Sequence, residues 1–414
     1  MNRLMNISII FLLSSFILSF IISCDSSDPK PPEKPPGYQE DIPWPSLADS
    51  PWPIYRGDPQ STGRTKVKGP ENGIVNLELN IQPEIHSSII INLNKSFLVT
   101  TSYPGNSISS FSFQGVSLWK KTLAPSSTSV LADNLGDIYY LTNQTIQKLS
   151  KDGENIWSVE LGTNAQQSEN INIDKIGNIY FLSSNYSLNA YSKNGDKLWS
   201  LYDSEFITTS NSLSFSPNGS TIYCGGALNS VIAIDLSSKS IKWRSGAMPP
   251  LTSIPRIRST PVITSNGNIL SFVYVNSIFK NLVMLDENGD ILWEKRNIEV
   301  GFENQLSINK VGDIYYSEVD TIVSVDYLGE EKWKSKLNGV ILTDLCCDSE
   351  GNIFCVIRNE SDEYYAVKVS QVGDVIWETF LTSDQNLTFE QTPTIGEGLL
   401  IIPTNNHRYI YTIN

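Results

Sequence analysis

Six times the chain writes Gly-x-x-x-Trp, at Gly115/Trp119, Gly153/Trp157, Gly195/Trp199, Gly289/Trp293, Gly329/Trp333 and Gly373/Trp377. A seventh copy, Lys239/Trp243, keeps the Trp and replaces the Gly. A fixed period restricts a chain more than local propensity does, because each unit must take one shape that packs against its own copies. Ahead of each Gly stands a short alternating stretch, such as Ile146-Gln147-Lys148-Leu149 or Val231-Ile232-Ala233-Ile234. A strand, a polar turn and a second strand carrying the Trp make a β-hairpin.

A second hairpin precedes it. Gly136, Gly177, Gly267, Gly312 and Gly351 are each followed by Asp or Asn and then Ile. Four residues earlier stand Ala132, Ile173, Ile263, Ile308 and Cys347, and six earlier Val130, Ile171, Pro261, Leu306 and Leu345. That period of two marks one buried face of a strand. Each unit is then four short antiparallel strands, and no helical period of useful length appears. Units of this size point to propeller blades. Trp119 to Trp377 spans 258 residues in six steps, a mean of 43, so residues 71–414 hold eight. The last unit has three strands but no Trp strand, at Thr392–Ile395, Leu399–Ile402 and Ile410–Ile413, while Ile74–Leu79 is a strand without a partner of its own. The expected fold is an all-β, eight-bladed β-propeller of four-stranded antiparallel blades, its last blade closed by the N-terminal strand, which leaves no sheet edge open at the seam.

The amino terminus reads as an export signal over residues 1–23. Arg3 supplies a positive start, and Ile7–Ile22 is a 16-residue run of apolar residues and Ser. About 20 apolar residues are needed to span a bilayer, so the run suits a signal segment. It ends at Ile21-Ile22-Ser23-Cys24, which resembles the lipobox of bacterial lipoproteins, and the resemblance implies acylation of Cys24 and membrane attachment. An uncleaved anchor is the alternative. Asp25 leaves the leaflet open. Residues 24–43 carry six prolines, from Pro29 to Pro43, and no apolar period, so they read as an extended tether. Residues 44–414 are the propeller, expected to be monomeric.

The chain's formal charge of −14, from 30 Lys and Arg against 44 Asp and Glu, argues against a nucleic-acid partner. Two His, His86 and His407, supply a metal site or a His-paired nucleophile poorly. No phosphate loop, nucleophile elbow or His-Glu-x-x-His occurs. The acidic turn Asp286–Asp290 lacks the spacing of a calcium loop and reads as a solvated turn. Trp119, Trp157, Trp199, Trp243, Trp293, Trp333 and Trp377 read as packing between blades. No catalytic, cofactor or metal residue can be assigned, and the chain reads as a non-enzyme.

The Trp repeats, with Trp52-Pro53-Ile54-Tyr55-Arg56-Gly57-Asp58 and Thr62-Gly63, resemble the PQQ-like repeat propellers over roughly residues 52–414. In the quinone dehydrogenases of that superfamily an adjacent Cys pair bonds against the cofactor, beside a calcium ion. Cys346-Cys347 is such a pair by sequence, but neighbours in a strand point to opposite faces. With Cys355 they read as small apolar fillers, or as a structural disulfide among the three. Lipid anchoring and size make the chain similar to the lipoprotein subunits of the outer-membrane β-barrel assembly machinery, which are scaffolds. The resemblance implies an outer-membrane location and an envelope protein as partner. In that family a contacting Arg lies three residues before Ser-x-Pro, a spacing met in Arg256-Ile257-Arg258-Ser259-Thr260-Pro261. Arg256, with Arg258, is the candidate partner contact, and solvated loop charges are the other reading. A surface module recognising glycans or proteins, and a PQQ-dependent dehydrogenase, are the alternative functions.

Overall fold

The computed structural model describes residues 33–414, apart from 82–83, 86, 102–104, 124–129, 143, 163–169, 207–211, 227–229, 246–258, 276–277, 300, 302–304 and 406–408. Pro36–Asn414 form one compact unit of eight antiparallel sheets. Blade 1 contains Ile90–Asn92, Ser96–Thr101, Ser107–Ser112 and Ser117–Thr122. Blades 2 to 7 repeat that order, opening at Leu131–Ala132, Asn172–Ile173, Ser214–Phe215, Val262–Ile263, Ser307–Ile308 and Cys346–Cys347. Blade 7 carries one further short strand, Val340–Ile341, paired with Ile357 and Arg358. Blade 8 joins Thr394–Gly396, Leu399–Pro403 and Tyr409–Ile413 to Val75–Asn80, whose Leu79 lies opposite Ile410. The eight-bladed propeller and its closure by the N-terminal strand stand as the repeat dictates. Among the described residues the one helix is a single 3-10 turn, Leu93–Lys95.

The turns are built by short polar side chains. Asp286 Oδ1 accepts from the amides of Asn288 at 2.8 Å and Asp290 at 3.0 Å, and Asp133, Asp326 and Asp348 do the same in their own turns. The Asp286–Asp290 cluster is thus a self-capped hairpin turn.

The apolar core lies between blades. Tyr139 joins a cluster with blade 3, and its neighbour Tyr140 one with blade 1. Tyr315 and Tyr316 likewise face blades 7 and 5. Alternation in sequence suggested one buried face per strand. The structure buries both, because each sheet is sandwiched between two others. The folded body also begins earlier than the expected boundary at residue 44. The compact unit begins at Pro36, Gln39 is buried, and its amide donates to Lys310 O at 2.8 Å. Pro36–Pro43 therefore belong to the folded body: polar groups of blades 5 and 6 hold a segment that apolar periodicity could not reveal.

Candidate functional site

Each repeat Trp docks on the following blade. A Cβ added at Gly153, Gly195, Gly289, Gly329 or Gly373 would meet the ring of Trp119, Trp157, Trp243, Trp293 or Trp333 at 2.7–3.1 Å. All five glycines have φ between 85° and 95°, where L side chains are strained. The same indoles donate from Nε1 to a carbonyl of that turn, as Trp119 does to Lys151 O at 2.9 Å and Trp243 to Glu287 O at 2.8 Å. The Gly and Trp of one sequence motif are therefore not partners: Trp119, Trp157, Trp243, Trp293 and Trp333 each meet the Gly of the next repeat. Two substitutes complete the ring. Gly73 receives Trp377, and Leu77, on the closing strand, takes the Trp position against Gly115. Blade 4 has Lys239 in the turn at φ 56°.

The N-terminal segment crosses the opening strands of the blades. Trp52 O, Pro53 O, Pro59 O, Gln60 O, Thr62 O, Gly63 O and Lys68 O accept from the amides of Ile91, Ala132, Phe215, Ile263, Ile308, Cys347 and Gly398. Trp44 Nε1 donates to Ile173 O at 2.9 Å, so all eight blades are held. Arg56 lies at the hub of this segment. It is 1% exposed, with φ 61°. Its Nη1 donates to Leu345 O at 2.9 Å, and its Nη2 to Leu306 O and to Ser307 Oγ. Asp344 Oδ2 lies 3.8 Å from Nη1. Burial pushes the Asp344 carboxyl above its ordinary range, and the Arg56 charge offsets that only in part. Gly63 has φ 64°, and a Cβ there would strike the Arg56 guanidinium and Ser307 Oγ.

A chain of polar side chains runs beside the hub from blade to blade. Thr260 Oγ1 accepts from Ser212 N, Gln305 Oε1 from Thr260 N, and Asp344 Oδ1 from Gln305 N, at 2.8–3.2 Å. Thr392 Oγ1 donates to Asp344 Oδ2 at 2.8 Å. On the N-terminal segment a cleft of about 410 Å³ is lined in part by Asp41, Trp44, Pro59 and Arg64. Arg64 and Lys310 both pair with Asp41, at 3.2 and 3.1 Å, so these charges answer one another.

Residues 104–279, fewer than half of the chain, match the family described as outer membrane protein assembly factor BamB. Among solved structures the chain is similar to a europium-containing methanol dehydrogenase (TM-score 0.67, 11% identity, 86% of this chain and 90% of that one). It is also similar to BamB from Moraxella catarrhalis (TM-score 0.61, 14% identity, 83% and 99%). A third is the quinohemoprotein alcohol dehydrogenase from Comamonas testosteroni (TM-score 0.64, 11% identity, 87% and 80%). It has the PQQ-like β-propeller fold. No curated protein matches the sequence.

The residues of this PQQ-like propeller do not fit a quinone held by a vicinal disulfide. Cys346 packs in the core shared by blades 7, 8 and 1, and Cys347 in that shared by blades 6 and 7. Both are free and fully buried, as are Cys224 and Cys355. Their sulfurs face the carbonyls of Phe354 at 3.8 Å and Ile308 at 3.7 Å. Burial pushes the Cys347 and Cys355 thiols up to about 12, so both are protonated at neutral pH and poor nucleophiles. Among the described residues no three His, Cys, Asp or Glu are grouped to hold a metal.

Cys24, Arg256 and Arg258 lie outside the described residues, as do His86 and His407. Among the described residues no helix is long and apolar enough to cross a membrane. Sequence reasoning assigned Arg56-Gly57-Asp58 to a family motif and missed its place at the hub. The signal available was an Arg directly before Gly57, with Gly63 shortly after, in a stretch with no strand pattern.

Proposed function

We propose that this PQQ-like propeller is a non-catalytic scaffold of the bacterial cell envelope. In this reading a lipid on Cys24 ties it to a membrane, most simply the outer one, and Arg256 with Arg258 contacts an envelope protein during outer-membrane protein assembly. The match of residues 104–279 to the outer membrane protein assembly factor family carries the reading. The state of the thiols supports it, because Cys346 and Cys347 are free and buried in separate cores, whereas a quinone held by a vicinal disulfide needs them bonded to each other. Crosslinking in intact cells followed by membrane-protein capture tests it. The expected result is an outer-membrane protein crosslinked to wild type and weakened by Arg256→Glu, with Cys24→Ala leaving the membrane fraction. Capture unchanged by Arg256→Glu removes that contact, and capture of no envelope protein removes the scaffold.

The fold likeness to two alcohol-oxidising enzymes favours a second reading, a PQQ-dependent dehydrogenase. Dye-linked alcohol oxidation after addition of PQQ and Ca²⁺ would establish it in place of the first.

A further inference from the structure

We propose that the hub of the propeller is a guanidinium-binding site filled by the chain itself, with Arg56 as its resident ligand. Four oxygens converge there: Leu306 O from blade 6, Leu345 O from blade 7, Ser307 Oγ and Asp344 Oδ2. Ser307 spends its own proton on Leu345 O at 2.6 Å, so toward Arg56 it presents only lone pairs. A pocket made of acceptors, one of them a carboxylate, selects a cation with several divergent donors. A planar guanidinium supplies five in a fixed fork, whereas an ammonium presents three from one point.

The surrounding chain is shaped to admit it. Arg56 accepts a left-handed backbone at φ 61°, and Gly63 leaves out the Cβ that would strike the guanidinium. The carbonyls it bridges belong to adjacent blades, and the segment carrying it bonds to every blade. Removing the side chain takes from Leu306 O the guanidinium that donates to it and from buried Asp344 its neighbouring cation, a loss that costs heavily in a protein interior. The vacated space matches a free alkylguanidinium in shape and charge.

The test is thermal melting of the full-length protein in detergent, refolded with or without millimolar methylguanidinium. Arg56→Ala is expected to melt roughly 5–10 °C below wild type. Methylguanidinium should restore most of that loss, and methylammonium at equal concentration none, while neither ion moves wild type. Equal rescue by both ions, or no rescue, overturns the proposal. Should Arg56→Ala not fold, Arg56→Lys carries the test: it keeps the charge but cannot span both blades, so it should melt between the two. Arg56→Lys melting like wild type would refute a site built for the guanidinium fork.

Discussion

Gly289 and Gly267 separate two costs, backbone strain and side-chain collision, that positive-φ glycines such as Gly289 combine. Both have φ near 90°, but an added Cβ at Gly289 meets Trp243 at 2.8 Å, while at Gly267 it meets open space. Gly267→Ala should lose about 1–2 kcal/mol, the cost of the left-handed backbone alone. Gly289→Ala should lose that and roughly 1–3 kcal/mol more, because the indole must shift away from a well-packed turn. Urea unfolding of the two variants measures the difference, and equal midpoints would mean that the Trp–Gly contact adds nothing. The motif was plain in the sequence as a spacing of four residues. Its contact was not, since the Gly touched by Trp119, Trp157, Trp243, Trp293 or Trp333 comes from the next repeat, and only the packing of one blade on another chooses it.

At the scale of the strand, closure of the ring depends on Val75–Asn80, which has no repeat Trp. Leu77 stands in for it against Gly115. Leu77 is half-buried, so Leu77→Ala should destabilise by about 1–2 kcal/mol, below the loss for a fully buried leucine. Leu118→Ala, on the exposed side of blade 1's outer strand, should cost less than about 0.5 kcal/mol. A Leu77 variant as stable as wild type, read by its denaturant midpoint, would show that the seam is held by backbone pairing alone. The strand itself was legible as an unpartnered alternating stretch beside an incomplete last unit. The role of Leu77 was not, because one Leu in Asn76-Leu77-Glu78-Leu79 looks like any other until its neighbour blade is in place.

Across the whole molecule, the second strands of blades 1, 2, 4, 5, 6 and 7 each contribute to two clusters, and those of blades 3 and 8 to one cluster that joins them to both neighbours. Blades so coupled should unfold together, since losing one strips apolar cover from both neighbours. Cys224 of blade 4 and Cys347 and Cys355 of blade 7 report this, being free and buried three blades apart. Their reaction with a thiol reagent is expected in one transition, coincident with the loss of Trp fluorescence. Blade 7 thiols reacting at lower denaturant than Cys224 would instead show sectors that open independently.

The repeat alone determined the strands, the number of blades and the closing of the last by the first, because a hydrophobic period and turn residues at fixed offsets are local properties of the chain. Three matters waited for the tertiary structure: which Gly each Trp touches, the burial of Cys346 and Cys347 in separate cores, and the seat of Arg56 among oxygens from blades 6 and 7. Each is a contact between residues tens to hundreds of positions apart. No local pattern encodes such a contact; it exists only once eight sheets have closed around the segment that joins them.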